Sequence, residues 1–285
     1  MSPVRNENNK ETNRNNDSYH PISDVSNRVT NVILRTENLC RRFGRFPAVE
    51  QLSLEIYSGD IYGFLGLNGA GKTTTIRMLL RLIKPDSGKI FIYGKDLNDS
   101  YLEIMHYLGG LVEIPAFYPY LSARQNLLLL ARLRMLTSKS LVNSVVDNLL
   151  SAVGLKERAD DRIRTYSQGM RQRLGIAAAL LPAFIPAKNF GYSPLIILDE
   201  PTNGLDPQGI ADIRNLIKKL NREQNVTFFI SSHLLSEMEL LCNRVGIIRN
   251  GRLIISEDLR KLLKEEGIEI TAPKRPLEKY FMGLM

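Results

Sequence analysis

Eight consecutive residues constrain the fold of this chain more than any other stretch: Gly66-Leu67-Asn68-Gly69-Ala70-Gly71-Lys72-Thr73, which fit the spacing G-x-x-x-x-G-K-[ST]. A loop of this kind wraps a chain of phosphates in backbone N–H groups. Glycine is needed wherever a side chain would block the approach or forbid the dihedrals, and Gly66, Gly69 and Gly71 meet that demand. Upstream, Ile61 to Leu65 is a short apolar run suited to a buried strand; downstream, Thr74 to Leu82 carries apolar residues at helical spacing. The loop therefore opens a helix whose N-terminal dipole favours anions. Lys72 would reach the β- and γ-phosphates of a nucleotide, the Thr73 hydroxyl would ligate Mg²⁺, and Thr74 completes the candidate nucleotide-binding stretch. A glycine-rich turn before an ordinary helix is the plain alternative, and the matched strand and helix flanks argue against it.

The 285 residues, 44% hydrophobic and 24% charged, have the composition of an ordinary soluble globular protein of one large or two modest domains. The longest apolar stretches, Asn126 to Leu136 and Gly175 to Ala187, are broken by Arg132 and Arg134 and by Pro182 and Pro186, so no membrane span is expected. The first residues lack an apolar core of a secretory signal, which leads us to expect a cytoplasmic location. Cys40 and Cys242 are isolated and read as reduced thiols. The formal charge of +8 raises the question of nucleic acid or an anionic membrane. Its excess lies between Arg124 and Arg173, where ten Lys and Arg face Asp147, Glu157, Asp160 and Asp161 without a run of like charge. Solvated helix faces account for that pattern more simply than a surface for phosphates or lipid head groups.

In chain order, residues 1–31 are polar, rich in Asn, and read as a disordered tail. The strand-like runs at Val32 to Leu39, Gln51 to Tyr57 and Lys89 to Tyr93, the first two separated by the turn-prone RRFGRFP, predict an antiparallel sheet beside the loop. Tyr101 to Leu108 reads as a helix and Gly109 to Glu113 as a strand. Helical periodicity then covers Ala123 to Leu136 and Ser138 to Val153, giving a candidate helical subdomain over about 115–165, after which Ser-Gln-Gly introduces a further helix, Met170 to Leu181. Beyond a Pro-containing loop, strands at Leu195 to Leu198, Val226 to Ile230 and Val245 to Arg249 alternate with helices at Pro207 to Asn221 and His233 to Cys242. Asn250-Gly251 is a hairpin signal. This alternation predicts an α/β core with a mostly parallel sheet, spanning 32–256, followed by a helical extension over 257–285.

Leu195 to Leu198 ends in Asp199 and Glu200. Ligands of open α/β sheets bind beyond the carboxyl ends of strands, so both carboxylates would emerge beside the phosphate loop. Asp199 suits the Walker B task of holding Mg²⁺, and Glu200 suits orienting or deprotonating the attacking water. With these segments in order the chain resembles the nucleotide-binding subunit of ABC transporters, and the resemblance covers roughly Val32 to Ile255. Tyr166-Ser167-Gln168-Gly169-Met170 resembles the family's signature segment, whose Ser and Gly contact the ATP held by the opposite subunit. Gly204-Leu205-Asp206 matches the D-loop at the dimer seam, and His233 matches the switch histidine at the γ-phosphate. Phe43 stands where the family places an aromatic that stacks on adenine.

Two departures stand out. Where most of the family has a glutamine, this chain has Glu113, which with the following PAFYPYLSARQNL resembles the subfamily that exports or confers immunity to bacitracin and lantibiotic-type peptides. A Glu113 oxygen could still ligate Mg²⁺. The stretch from Pro182 to Pro194 is longer than usual and reads as a surface excursion, while Leu277 to Phe281 resembles the family's C-terminal LE-x-x-F helix. The resemblance implies a P-loop NTPase fold with an antiparallel β subdomain and an inserted helical subdomain. It further implies a Mg²⁺-dependent ATPase, a homo- or heterodimer closing around two ATP, and a separate integral-membrane permease that holds the chain at the inner face of the membrane. Nucleic acid is not expected as a partner. A soluble ATPase of this type acting on nucleic acid or ribosomes remains the alternative, and a nucleotide-gated module without turnover is a third; retention of both Glu200 and His233 argues against the last.

Overall fold

The computed structural model describes residues 31–113, 116–134, 138–185 and 192–265, all within the compact unit Asn31–Met285. The N-terminal tail up to residue 30, the LE-x-x-F segment and residues 186–191 of the excursion lie outside the described residues.

Two sheets organise the unit. The smaller is antiparallel, in the order β2-β1-β4-β5, from β1 (Val32–Phe43), β2 (Phe46–Tyr57), β4 (Ser87–Ile92) and β5 (Lys95–Asp96). The strands β1 and β2 are longer than their apolar runs: both continue through RRFGRFP, and only Gly44 and Arg45 remain as the turn. Cross-strand pairing of Phe43 with Phe46 and of Arg42 with Pro47 overrides the weak local propensity there.

The larger sheet has the order β10-β9-β3-β8-β7-β6. Its strands are β3 (Ile61–Leu65), β6 (Leu108–Leu111), β7 (Leu195–Asp199), β8 (Thr227–Ser232), β9 (Arg244–Arg249) and β10 (Arg252–Asp258). From β6 to β9 the pairing is parallel, and β10 returns antiparallel after Asn250 and Gly251, both at positive φ (+50° and +78°).

The central strands are buried on both faces, so their sequences read as apolar runs, with polar residues only at their ends (Thr227, Ser231 and Ser232 in β8, Asp199 in β7), rather than as alternating ones. Alternation reappears in what each residue touches. Ile61, Leu65, Ile196, Leu198, Phe228 and Ile230 enter one apolar cluster; Tyr62, Phe64, Leu195, Ile197 and Phe229 enter the other. The second cluster lies between the large sheet, the antiparallel sheet and α1 (Lys72–Leu79). The first joins the sheet to α3 (Ala123–Leu133), α4 (Lys139–Ala152), α5 (Gln168–Ala179) and α7 (Pro207–Gln224). Each fully buried Leu, Ile or Phe contributes about 1.5–3 kcal/mol relative to exposure.

Start signals behave as their chemistry requires. Ser122 and Gln125 form a reciprocal capping box at α3, and Ser138 and Asp206 cap α4 and α7. Other boundaries differ from expectation. The helix α2 is short (Tyr101–Met105), and β6 stops at Leu111, before Glu113. The described start of the excursion is not a surface loop but a buried turn of helix, α6 (Leu181–Phe184). Pro182 is tolerated in its first turn, where no N–H is needed. The helix α8 spans Leu235–Leu241, leaving His233 in the approach to it, and α9 spans Leu259–Glu265.

Four of the basic side chains between 124 and 173 have partners within the fold. Arg124 meets Asp147 and Asp160, Arg158 meets Asp161, Arg173 meets Asp212, and Arg134 donates to the carbonyls of Met105 and Leu108.

Candidate nucleotide site

Three parallel strands deliver their carboxyl ends to one cleft of about 360 Å³. After β3 the chain turns through Gly66 to Gly71 into α1. Gly71 is the N-cap with φ +109°, and a Cβ on it would lie 2.4 Å from the carbonyl oxygen of Ala48, so both the dihedral and the close approach demand glycine. Asn68, Gly69, Gly71, Lys72, Thr73 and Thr74 line the cleft; Gly66, Leu67 and Ala70 of the same loop do not. Lys72 is buried, and its Nζ donates to the carbonyls of Gly66 at 2.7 Å and Leu67 at 3.3 Å.

The two acids at the end of β7 part company. Asp199 is buried: Thr73 Oγ1 donates to its Oδ2 at 2.8 Å and Ser231 Oγ to its Oδ1 at 2.5 Å. Glu200 turns away through a left-handed backbone, φ +47°. Its Oε2 lies 2.8 Å from His233 Nδ1 and its Oε1 3.6 Å from Lys72 Nζ, so the carboxylate sits at the cleft between two cationic or donor groups.

An aromatic wall closes the other side. Phe43, 47% exposed, lines the cleft, and the Arg41 guanidinium covers its ring at 5.0 Å from the centroid. Asp86 holds Arg41 in turn at 2.7 Å. Phe46, 61% exposed, lines the same cleft. Sequence reasoning missed it, although F-G-R-F around a two-residue turn sets both rings on one face of the hairpin. Ser231 was also missed as a functional residue; a small polar residue at the carboxyl end of an apolar strand was the available signal. Asn203 completes the lining.

Other expected residues lie elsewhere. Glu113 is not brought to the cleft: its carboxylate meets Arg77 of α1 at 2.5 Å, with its backbone at φ +56°. Of the two Glu113 oxygens, either of which the sequence reading offered to Mg²⁺, Oε1 is held by the guanidinium. Ser167 accepts from Met170 N as the N-cap of α5; it, Gln168 and Gly169 are outside the cleft of their own chain. A Cβ on Gly169 would stand 3.0 Å from the carbonyl of Gly204, which explains the glycine by close approach to the loop before α7. Asp206 accepts from Gly209 N as a helix cap.

The donor set fits Mg²⁺ accompanied by phosphates. Mg²⁺ takes one or two protein oxygens and completes its shell with phosphate and water, and Thr73 with Asp199 supplies that pair. No cluster of three or more His, Cys, Asp or Glu able to hold a metal without phosphate occurs among the described residues. Nor is any helix among them long and apolar enough to cross a membrane.

Comparison with known proteins agrees with this geometry. The bacitracin transport ATP-binding protein BcrA of Bacillus licheniformis is 48% identical over 222 residues, covering 78% of this chain and 68% of its own length. The lantibiotic transport ATP-binding protein SrtF of Streptococcus pyogenes is 34% identical over 241 residues, covering 82% of this chain and 97% of its own. A solved structure, described as that of the ATP binding subunit of an ABC transporter, superposes with a TM-score of 0.75 at 26% identity over 88% of this chain and 99% of that one. The ABC transporter family model matches residues 49–203, from the second strand through the phosphate loop to the turn after Glu200. The chain therefore belongs to the ABC transporter family, as an ATP-binding and ATP-hydrolysing component.

Proposed function

We propose that the chain converts ATP hydrolysis into export of antimicrobial peptides of the bacitracin or lantibiotic kind through a separate membrane permease. The observation that carries the catalytic half is the placement of the Glu200 carboxylate between His233 and Lys72 at the mouth of the phosphate loop. The names of BcrA and SrtF support the substrate class.

In this reading the backbone N–H groups of the loop and Lys72 neutralise the charge that develops on the transferred phosphoryl group. Thr73 and Asp199 are the residues that would hold Mg²⁺, which when bound would supply charge stabilisation to the phosphates. Glu200 orients the attacking water and accepts its proton, and His233 steadies Glu200 and meets the γ-phosphate. Phe43, backed by Arg41, offers its face to the adenine. The segment Ser167 to Gly169 completes the site of a second copy or a paralogous subunit, with Asp206 at the seam. The helical subdomain, 115–165, faces the permease. A groove of about 520 Å³ beside it, walled by Leu111, Val112, Phe117, Leu130 and Leu133, offers an apolar seat for a permease segment.

The test compares Mg²⁺-dependent ATP hydrolysis by the wild type and the Glu200→Gln variant, each sized with and without ATP. The variant is expected to lose at least about 100-fold in rate, the span of a positioned general base, and to form an ATP-dependent dimer. A variant as fast as the wild type would remove Glu200 from the chemistry.

A further inference from the structure

Glu200 keeps a left-handed backbone, φ +47°, although it carries a side chain. Such a conformation is unfavourable and persists only where the surroundings enforce it. Here the peptides on both sides are gripped. The Glu200 N–H donates to Ser231 Oγ at 3.0 Å and to the Ser231 carbonyl at 3.2 Å. On the far side, the carbonyls of Pro201 and Glu200 face Gln172 Nε2 at 3.1 and 3.4 Å. Carbonyls only accept, so the atom facing both must be the amide nitrogen, whose two protons serve one each.

Gln172 is 8% exposed and does not line the nucleotide cleft. It stands on α5, the helix that Ser167 caps. Along its first turn the same helix lies directly on the loop after Glu200: a Cβ on Gly204 would meet Gln168 Nε2 at 3.1 Å, and one on Gly169 would meet the Gly204 carbonyl at 3.0 Å. A buried amide thus connects α5 to the Glu200–Pro201 backbone.

We propose that Gln172 is a positioning residue for hydrolysis: from α5 it holds the left-handed Glu200 backbone and so sets the aim of the Glu200 carboxylate at His233 and Lys72. The inference rests on the reading of Glu200 as the group that activates water. It adds to that reading a physical link from the signature helix to the carboxylate.

Gln172→Glu keeps size and shape but removes both N–H donors, and Gln172→Met removes them without adding charge. Each is made in the wild type and in the Glu200→Gln background. In the wild type, kcat is expected to fall about tenfold. The Kd for a fluorescent ATP analogue should remain near its starting value, while the melting temperature is expected to fall by about a few degrees, alike in both backgrounds, because two carbonyls lose their buried donor. In the Glu200→Gln background the residual single-turnover rate should fall no further, because the group being aimed is already gone. Wild-type kcat in both Gln172 variants, with Glu200→Gln inactive, would overturn this inference alone. The same fold loss in both backgrounds would also overturn it, since the amide would then act on the fold rather than through Glu200. A fully active Glu200→Gln variant would overturn the reading of Glu200 and this inference together.

Discussion

Asp199 and Glu200 are adjacent carboxylates in different surroundings, and one backbone dihedral parts them. Asp199 ends an extended strand, buried, with a hydroxyl on each oxygen. The turn to φ +47° at Glu200 swings the next side chain into the cleft. Burial acts in a different way at Cys242 and Tyr62. Desolvation raises the Cys242 thiol above its ordinary value, and burial pushes the Tyr62 hydroxyl up to about 12. Both groups stay protonated in the native state at a pH where the unfolded chain has released the proton. Above the unfolded pKa the unfolded state thus binds fewer protons, and stability falls as pH rises. The melting temperature is expected to decline from about pH 8.5, first through the thiol and from about pH 10 through the phenol. Cys242→Ala should flatten the earlier part of that decline and leave the later part. A flat profile up to pH 11 would contradict the burial of both groups.

Among the elements, α3 is tied to the core through its C-cap. Arg134 donates to Met105 O at 2.8 Å and Leu108 O at 3.0 Å, and desolvation lowers its pKa. Replacing it with Met keeps the apolar stem but leaves two carbonyls without their donor. We expect a loss of about 1–3 kcal/mol, read as a lower urea midpoint at unchanged slope. An unchanged midpoint would show that water takes over both carbonyls. Most elements announce themselves in the sequence through period: β3 and β7 as apolar runs of strand length, α3 and α4 through apolar residues at helical spacing. The failures have physical causes. In RRFGRFP, pairing across the hairpin outweighs local propensity. At α6, the apolar side chains of Leu181, Ala183 and Ile185 find the core despite Pro182. His233 stays ahead of α8, where its ring can reach Glu200.

At the scale of the whole molecule, the proposed site is completed by a second subunit, and mixing tests this directly. A chain with Lys72→Ala lacks a working phosphate loop, and one with Ser167→Arg blocks the segment offered to its partner. Each alone is expected to be inactive. In a mixed dimer both defects fall on one site and the other is whole, so an equal mixture should regain up to about a quarter of wild-type turnover if sites act independently. An active Ser167→Arg homodimer would exclude the composite site.

What the sequence by itself determined is local: glycines where backbone must wrap phosphate, apolar runs that must be buried strands, and acids that follow such a run. These depend on dihedrals and spacing within a few residues, and they identify the phosphate loop, Asp199, Glu200 and the family. Only the tertiary structure decided that β8 lies between β3 and β7, which brings Ser231 to Asp199 and His233 to Glu200. It also decided that Thr73 meets Asp199 across 126 positions of chain, that Glu113 turns to Arg77, and that Gln172 reaches the Glu200 loop. Those contacts arise from strand order and packing between segments far apart in the chain. No spacing rule within a single segment carries that information.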